Sequence, residues 1–148
     1  MRAVLQCVSE ARVEVDGATV GSIGPGFLIF LGVGHGDDEE TARKLWAKIE
    51  KLRVFDDECG KTNLNLAAIG GSVLVVSQFT LYANCKKGNR PSFTDAAAPD
   101  EARRLYEYFA DLARMSVPRV ETGQFGAMME VRLVNHGPFT ICLDTDQL

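Results

Sequence analysis

The segment Ser72–Phe79, with the sequence SVLVVSQF, follows a pair of glycines and is rich in valine. Valine is enriched in strands, and a short apolar run bounded by turn residues is typical of a buried strand. The segment Phe27–Val33, FLIFLGV, is continuously apolar, as expected of a strand covered on both of its faces. These two segments therefore predict the central strands of a sheet.

The rest of the sheet is predicted on both sides of this centre. Asp16-Gly17 is a strong hairpin signal between two segments that alternate apolar and polar residues. The turn Asn135–Pro138 is predicted to join the last two strands. The additional strands are predicted at Arg2–Val8, Arg12–Val15, Thr19–Ile23, Arg53–Phe55, Met128–Val134 and Phe139–Leu143.

Two helices interrupt the strands. The first follows Asp38 and runs to about Leu52, and it carries acidic residues in its first turn. The second begins near Pro99, a residue suited to the first turn of a helix, and runs to about Ser116. The residues expected to face the core are Ala42, Leu45, Ile49 and Leu52, flanked by Trp46, and then Ala102, Leu105, Phe109 and Leu112. This order of elements predicts a mixed α/β fold with a largely antiparallel sheet and two main helices.

Length and composition predict one domain, residues 1–148, without a membrane segment. A chain of 148 residues that is 46% hydrophobic and 24% charged can build a core of its own. No apolar run approaches the ~20 residues that span a bilayer, and Met1–Glu10 lacks the layout of a signal peptide. We therefore expect a cytoplasmic protein.

The cysteines and histidines give no metal signal. No C-x-x-C pair is present, and buried free thiols in a reducing compartment are expected. The four cysteines are Cys7, Cys59, Cys85 and Cys142. Because the only histidines are His35 and His136, a multi-histidine metal centre is not expected, and no cofactor is predicted.

The charge of the chain does not exclude a nucleic-acid partner. The net charge of −4 argues mildly against phosphate binding, which needs positive charge. A local patch matters more than the total, however, and Lys86, Lys87 and Arg90 form a basic patch within the loop Asn84–Pro91.

Two segments carry residues that can support chemistry. In Ser77–Leu81, SQFTL, a buried strand runs out into a loop, where polar side chains lie beside free backbone N–H groups that can stabilise an oxyanion. In Asn135–Thr140, NHGPFT, the pair Gly137-Pro138 can hold a cis peptide bond, which points two carbonyl oxygens in one direction. From the residues alone, the simpler interpretations are a strand that ends in polar residues and a plain hairpin turn.

No catalytic triad is defined. Ser77 or Thr80 could attack an ester with help from a base, and the candidate bases are His35, His136 and the acidic residues. No G-x-S-x-G signature is present. A hydrolase with this sequence is therefore expected to rely on positioning of the reacting groups and on chemical groups of its substrate.

Taken together, the two segments resemble the motifs of D-aminoacyl-tRNA deacylases. Ser77–Leu81 looks like the SQFTL motif of that family, and Asn135–Thr140 is similar to its NxGPVT motif. The resemblance extends in the same order over essentially all 148 residues. The additional matching segments are Val54-Phe55, Gly71–Val76, Lys87–Phe93 and Gly123–Met129.

The resemblance implies a barrel-like fold of this family and a homodimer with active sites at the subunit interface. The implied reaction is hydrolysis of the ester of D-aminoacyl-tRNA, a chirality proofreading step, without a cofactor and without a DNA or membrane partner. A cis Gly137-Pro138 turn would reach into the partner's site, where its carbonyl oxygens would bind the α-amino group of the substrate. An L side chain would collide with the turn, whereas glycine charged onto the alanine tRNA would also fit.

The same resemblance assigns roles to individual residues. Ser77, Gln78, Phe79 and Thr80 would form the catalytic wall, with backbone amides near Phe79 and Thr80 stabilising the oxyanion. The 2′-hydroxyl of the terminal adenosine would position water, and Thr80 would act by positioning. Residues expected to bind the tRNA end are Phe125 and Met129 at the adenine and Lys86, Lys87 and Arg90 at phosphates.

Two positions depart from the family pattern. Cys7 stands where the family commonly has an arginine that is thought to help hold the Gly-Pro turn, and Phe139 stands where it has valine. Three other functions remain alternatives. One is a related branch with a trans Gly-Pro that edits L-alanyl-tRNA, against which Phe79 argues, and another is a non-catalytic protein that binds the tRNA end. The third is a generic metal hydrolase, which the lack of ligand clusters opposes.

Overall fold

The computed structural model describes residues 1–148. The strands are β1 (Arg2–Val15), β2 (Ala18–Ile23), β3 (Gly26–Gly32), β4 (Phe55–Asp56), β5 (Thr62–Leu64), β6 (Ser72–Ser77), β7 (Val120–Thr122) and β8 (Glu130–Asp144). The helices are α1 (Glu39–Ile49) and α2 (Pro99–Arg114), with two short 3₁₀ helices at Phe79–Tyr82 and Thr145–Gln147. No helix has both the length and the apolar character needed to span a membrane.

Six strands form one sheet that curls into a nearly closed barrel. Its order is β2-β1-β3-β6-β7, with β8 on β1, and β4 and β5 form a separate small hairpin. All three partners of β1 are antiparallel to it, whereas β6 is parallel to both β3 and β7. The outer strands β2 and β7 approach each other, since the Arg119 guanidinium donates to the Ser22 carbonyl over 2.8 Å. The predicted mixed α/β, largely antiparallel and barrel-like fold is therefore confirmed.

The long strand β1 organises the sheet and corrects one prediction. Both halves of β8 pair with β1, so the two predicted last strands are a single strand and not the arms of a hairpin. Gln6 is opposite Thr140, and Val8 is already opposite Asn135, which leaves residues 136–139 without a partner on β1. The Gly137-Pro138 segment is therefore a wide bulge on β8. Local turn chemistry cannot distinguish a bulge from a hairpin, because the difference depends on the length of the partner strand.

The helices cover one face of the sheet and bury the predicted stripes. The Asp38 side chain accepts a hydrogen bond from the Thr41 amide (2.8 Å) and caps α1. Trp46, expected only to flank the stripe, is buried and meets the Phe109 ring edge-on at 5.7 Å. Both helices end before their predicted limits, so Leu52 lies after the end of α1. Leu52 and Leu112 of α2 are only partly buried, and both pack at the edge of the core.

Two short strands and the end of β6 differ from the sequence prediction. The strands β5 and β7 were not predicted, because three residues are too few to show a period. β6 ends at Ser77, where the Gln78 amide still donates to the Leu31 carbonyl (2.8 Å), and the 3₁₀ helix then begins at Phe79. The expected buried thiols are also only partly correct, since all four cysteines are free but only Cys7 is buried.

Candidate active site

A cavity of about 600 Å³ lies at the carboxyl end of β6, between the 3₁₀ helix, the start of α2 and the loop that leads into β8. This volume lies in the range of pockets that bind small ligands and cofactors. The lining is mostly apolar, and its polar side chains, Ser77 and Gln78, follow directly from the buried part of β6. The strand that predicts the fold therefore also delivers polar groups into the cavity.

One wall of the cavity is formed by Ser77, Gln78 and Phe79, whereas Thr80, which was also predicted for this wall, is not a lining residue. Phe79 lies at the rim with 54% of its surface exposed, and its ring meets the Phe93 ring at 5.2 Å. The Gln78 side-chain amide donates a hydrogen bond to the Thr80 hydroxyl. Phe79 and Thr80 begin the 3₁₀ helix, where the first N–H groups have no partner within the helix.

The opposite wall is formed by the loop between β7 and β8, which carries Phe125 and Met129. This loop is tied to β6, because the Gly123 amide donates to the Val75 carbonyl (2.9 Å). A side chain at position 123 would come within 2.7 Å of the Met129 sulfur, so glycine is what lets Met129 reach the cavity. Phe125 packs against the Tyr106 ring with centroids 5.8 Å apart. The parallel pairing of β6 and β7 thus brings together two segments that are almost fifty residues apart in sequence.

The cavity contains no titratable side chain among its lining residues. His35 lies outside it and makes a 3.0 Å hydrogen bond with the Thr94 carbonyl, and His136 is exposed in the β8 bulge. Tyr106 supports the cavity from behind, where burial raises its pKa to about 12 and its neutral hydroxyl donates to the Val75 carbonyl (2.9 Å). No three His, Cys, Asp or Glu side chains cluster as metal ligands do. The walls of the cavity therefore offer no side chain that could act as a general base.

A network on the far side holds the 3₁₀ helix in place. The Tyr82 hydroxyl donates to Asp37 (3.3 Å), and the carboxylate of Asp37 also pairs with the Met1 ammonium (2.5 Å). The Arg2 guanidinium lies 4.5 Å from the Tyr82 ring centroid and donates to the Leu81 carbonyl (3.1 Å). Desolvation by burial raises the pKa of Tyr82, so its hydroxyl stays protonated as a donor. Sequence reasoning missed this network, since its members are scattered along the chain.

The remaining predicted site residues lie outside the cavity. The basic residues Lys86, Lys87 and Arg90 are exposed in a loop that is closed by paired backbone hydrogen bonds between Asn84 and Ser92 (2.7 and 3.0 Å). None of the three makes an ion pair within the chain, which leaves their charges available to a partner. The loop lies next to the cavity because Phe93, which follows it directly, is a lining residue.

Gly137 and Pro138 are also exposed and do not line the cavity of their own chain. The peptide bond between them is cis, and it is the only cis bond in the chain. A methyl group at position 137 would touch only the Asn135 side-chain amide at 3.4 Å. The bulge therefore projects into space that its own chain leaves open.

Most of the 16 lining residues were not predicted to be part of the site, and three of them are informative. Phe93, Ala102 and Met128 contribute to the cavity, and Met128 has 92% of its surface exposed. Phe93 and Met128 lie within segments that resemble the family, and this resemblance is the sequence feature that could have identified them as site residues. Ala102 was predicted only as a core residue of α2, and its small side chain leaves room for the cavity.

Comparisons with known proteins show the family to which the chain belongs. Residues 4–144 match the family model described as D-Tyr-tRNA(Tyr) deacylase. A D-aminoacyl-tRNA deacylase of Thermomicrobium roseum is 57% identical over 148 residues, which are 100% of this chain and 96% of the relative. Another, from Bacillus velezensis, is 53% identical over 147 residues, covering 99% of this chain and 100% of the relative.

Solved structures with the same fold were also found. The c-Myc DNA Unwinding Element Binding Protein superposes with a TM-score of 0.92 at 37% identity, over 97% of this chain and 98% of that one. A probable eukaryotic D-amino acid tRNA deacylase superposes with a TM-score of 0.83 at 18% identity, over 96% and 97% of the two chains, and at that identity it shows the fold alone.

The barrel, its cavity and the full-length relatives together define the class of protein: the chain is an enzyme, a hydrolase of the D-aminoacyl-tRNA deacylase type. More particularly, the chain belongs to the D-Tyr-tRNA(Tyr) deacylase family.

Proposed function

We propose that this enzyme hydrolyses the ester that joins a D-amino acid to the 3′ end of tRNA, as a chirality proofreading step of translation in the cytoplasm, and that it also removes glycine from the alanine tRNA. The observation that carries the proposal is the cavity at the end of β6, where the SQFTL segment faces Phe125 and Met129. A volume of about 600 Å³ suits a terminal adenosine with an attached amino acid. Stacking of a base on an aromatic ring contributes ~1–3 kcal/mol, and Phe125 offers such a ring.

The chemistry proposed for this cavity is addition of water to the ester carbonyl. The backbone amides of Phe79 and Thr80 stabilise the oxyanion that forms on the carbonyl oxygen. The bond between the carbonyl carbon and the ribose oxygen then breaks, the proton from water passes to that oxygen, and free tRNA and amino acid leave. Since no lining side chain is a base, the 2′-hydroxyl of the terminal adenosine positions the water.

Thr80 has a positioning role in this mechanism and does not attack the ester as a nucleophile. Its hydroxyl accepts a hydrogen bond from the Gln78 amide, and neither histidine lies in the cavity to activate it as a nucleophile. We expect Thr80→Ala to retain substantial turnover in single-turnover assays. Complete loss of activity, together with an acyl-enzyme trapped in Thr80→Ser, would instead identify Thr80 as the nucleophile.

A second copy of the chain completes each site. β8 pairs with β1 alone, so its other edge is unpaired over the length of the strand, and Leu133 and Val134 are exposed on it. Unpaired edges of this length are normally covered. In the resulting homodimer, the Gly137-Pro138 turn of one subunit enters the partner's cavity, binds the α-amino group through its carbonyl oxygens, and excludes the side chain of an L-amino acid.

The first test is single-turnover deacylation of D-tyrosyl-tRNA and L-tyrosyl-tRNA in parallel, with glycyl-tRNA(Ala) and L-alanyl-tRNA as further substrates. Release of the D ester and of glycine, with both L esters spared, is the expected result. Release of L-alanine alone would assign the chain to the L-alanyl branch. Salt-sensitive tRNA binding without any cleavage would make it a binding protein.

The role of the turn is tested with Gly137→Ala. The new methyl group meets only the Asn135 amide at 3.4 Å within the chain, so the melting temperature should not change, whereas D-tyrosyl-tRNA deacylation should be lost. Gly24→Ala is the matched control, since a methyl group there meets nothing within 4 Å. Full activity of folded Gly137→Ala would refute the proposed role of the turn.

The dimeric arrangement is tested by complementation. The Gly137→Ala chain keeps an intact cavity wall, and a Phe125→Ala chain keeps an intact turn. After unfolding and refolding as a mixture, about half of the dimers contain one chain of each kind and one intact site, so about a quarter of the wild-type activity should return. Light scattering should report twice the chain mass. A monomer, or a mixed dimer without recovered activity, would contradict the cross-subunit site.

A further inference from the structure

A second pocket, of about 340 Å³, lies behind Phe125 on the outer face of α2. Phe125 lines both this pocket and the main cavity, so the two share one aromatic residue as a wall. The lining of the second pocket differs in chemistry, because it includes the guanidinium groups of Arg103 and Arg114 and a single carboxylate, that of Glu107. A ligand group that enters here is therefore expected to be polar and negatively charged.

Arg103 differs from the other arginines of α2. Arg104 is engaged by Glu101 (2.7 Å) and Glu39 (2.8 Å), and Arg114 by Asp111 (2.7 Å). Arg103 makes no ion pair and no hydrogen bond within the chain. Its guanidinium lies 4.9 Å from the centroid of the Phe125 ring, which orients it beside the main cavity. The chain thus holds an uncompensated cation against the same ring to which the proposed function assigns the terminal adenine.

We propose that the Arg103 pocket is a second subsite, which binds the phosphodiester on the 5′ side of the terminal adenosine. The inference rests on the proposed function, since it uses the placement of the adenine at Phe125. The phosphate is covalently attached to that nucleoside, and a planar guanidinium binds phosphate oxygens through two parallel hydrogen bonds. A cation beside a stacking ring is also the usual arrangement of single-strand binding grooves.

The loop Asn84–Pro91 is the other possible exit path for the RNA. Its cations, Lys86, Lys87 and Arg90, are exposed, and no contact within the chain orients them. Arg103 is held on Phe125, so less conformational freedom is lost when it binds. The structure therefore favours the α2 side for the first phosphate and leaves the loop for phosphates farther from the end.

The test compares a substrate that has this phosphate with one that lacks it. Deacylation of D-tyrosyl-tRNA and of 2′(3′)-O-D-tyrosyl-adenosine is measured for the wild type, Arg103→Gln and Arg104→Gln. Arg104→Gln is the matched control. It removes the same charge at the neighbouring position, from a side chain that is already paired with Glu39 and Glu101. Loss of one charge-assisted hydrogen-bonded contact predicts a rise in KM of about tenfold to hundredfold for Arg103→Gln with tRNA, at nearly unchanged kcat.

With the adenosine ester, Arg103→Gln and the wild type should behave alike. The dependence of log affinity on log salt concentration is measured with an RNA hairpin that carries the tRNA 3′ sequence and no attached amino acid. Its slope should become shallower by about 0.7 in Arg103→Gln and not in Arg104→Gln. This binding measurement decides the inference even if no ester is cleaved, so failure of the proposed function is recognised separately.

Three results would overturn the subsite. Equal losses on both substrates would mean that Arg103 acts only by packing on Phe125. Unchanged KM and salt dependence in Arg103→Gln would mean that it meets no phosphate. A tRNA-specific defect that appears only in Lys86→Gln and Lys87→Gln would place the RNA on the other rim of the cavity.

Discussion

Replacing Gly34 by alanine tests how strongly the position of the 3₁₀ helix governs the enzyme. A methyl group at position 34 would lie 2.5 Å from Cζ and the hydroxyl oxygen of Tyr82. Ordinary carbon–carbon contacts are about 3.5–4.0 Å, so the ring or the glycine backbone has to move by about 1 Å. The ring cannot swing freely, because Asp37 binds its hydroxyl and Arg2 covers its face. The displacement is therefore passed to the helix that begins with Phe79 and Thr80.

The expected magnitudes follow from this overlap. Overpacking of this kind costs about 1–3 kcal/mol. For a chain of this size each kcal/mol lowers the melting temperature by about 2–4 °C, so Tm should fall by about 2–12 °C. A shift of about 1 Å in a group that positions the reaction can reduce the rate by about a hundredfold. We therefore expect kcat for D-tyrosyl-tRNA to fall far more than the modest loss of stability suggests.

The assays are thermal unfolding and single-turnover deacylation at a temperature where both proteins are folded. Gly24→Ala, which introduces the same methyl group into open space, should match the wild type in both. Combining Gly34→Ala with Tyr82→Leu removes the overlapping ring atoms, and should recover part of the Tm lost in Gly34→Ala alone. A Gly34→Ala protein with wild-type Tm and wild-type rate would show that Tyr82 does not hold the helix, and the reasoning would be refuted.

Three other predictions concern stability and reactivity. Phe109→Ala removes a fully buried ring from the core between the helices and the sheet, and should lower the free energy of unfolding by about 3–5 kcal/mol in urea titrations; a loss below about 1 kcal/mol would argue against this core. Burial raises the pKa of the Cys7 thiol to about 11, so about one thiol in a thousand is ionised at pH 8. In the native protein a thiol reagent should therefore label the exposed Cys59 and spare Cys7 until unfolding, and fast labelling of Cys7 would contradict its burial. The pKa of Asp38 is lowered chiefly by the hydrogen bond from the Thr41 amide, so its stabilising effect is present above the unfolded-state pKa and is lost as pH falls through the lower folded-state value. Asp38→Ala should accordingly lower Tm at pH 7, and the difference from the wild type should close in acid; a difference independent of pH would rule out this origin.

The helices and the central strands were predictable because their signals are local. The valine-rich run at Ser72–Ser77 and the apolar run at Gly26–Gly32 form strands whichever partners they find. Asp38 caps α1 through an amide only three residues away, and Pro99 occupies the first turn of α2. These interactions depend on neighbours within one or two turns of the chain.

The sequence by itself thus determined the two helices, the central strands, the family motifs and the two segments that carry the candidate chemistry. Only the tertiary structure decided that residues 136–139 form a bulge on one continuous β8, because that depends on the pairing of both halves of β8 with β1. The cavity likewise exists because β6 and β7 pair in parallel and bring Phe125 opposite the SQFTL segment. The free charge of Arg103, beside the paired Arg104, depends on which carboxylates the packing of α1 and α2 brings near. Local periodicity records which face of an element is buried, whereas the partner that buries it is chosen by contacts between residues far apart in the chain.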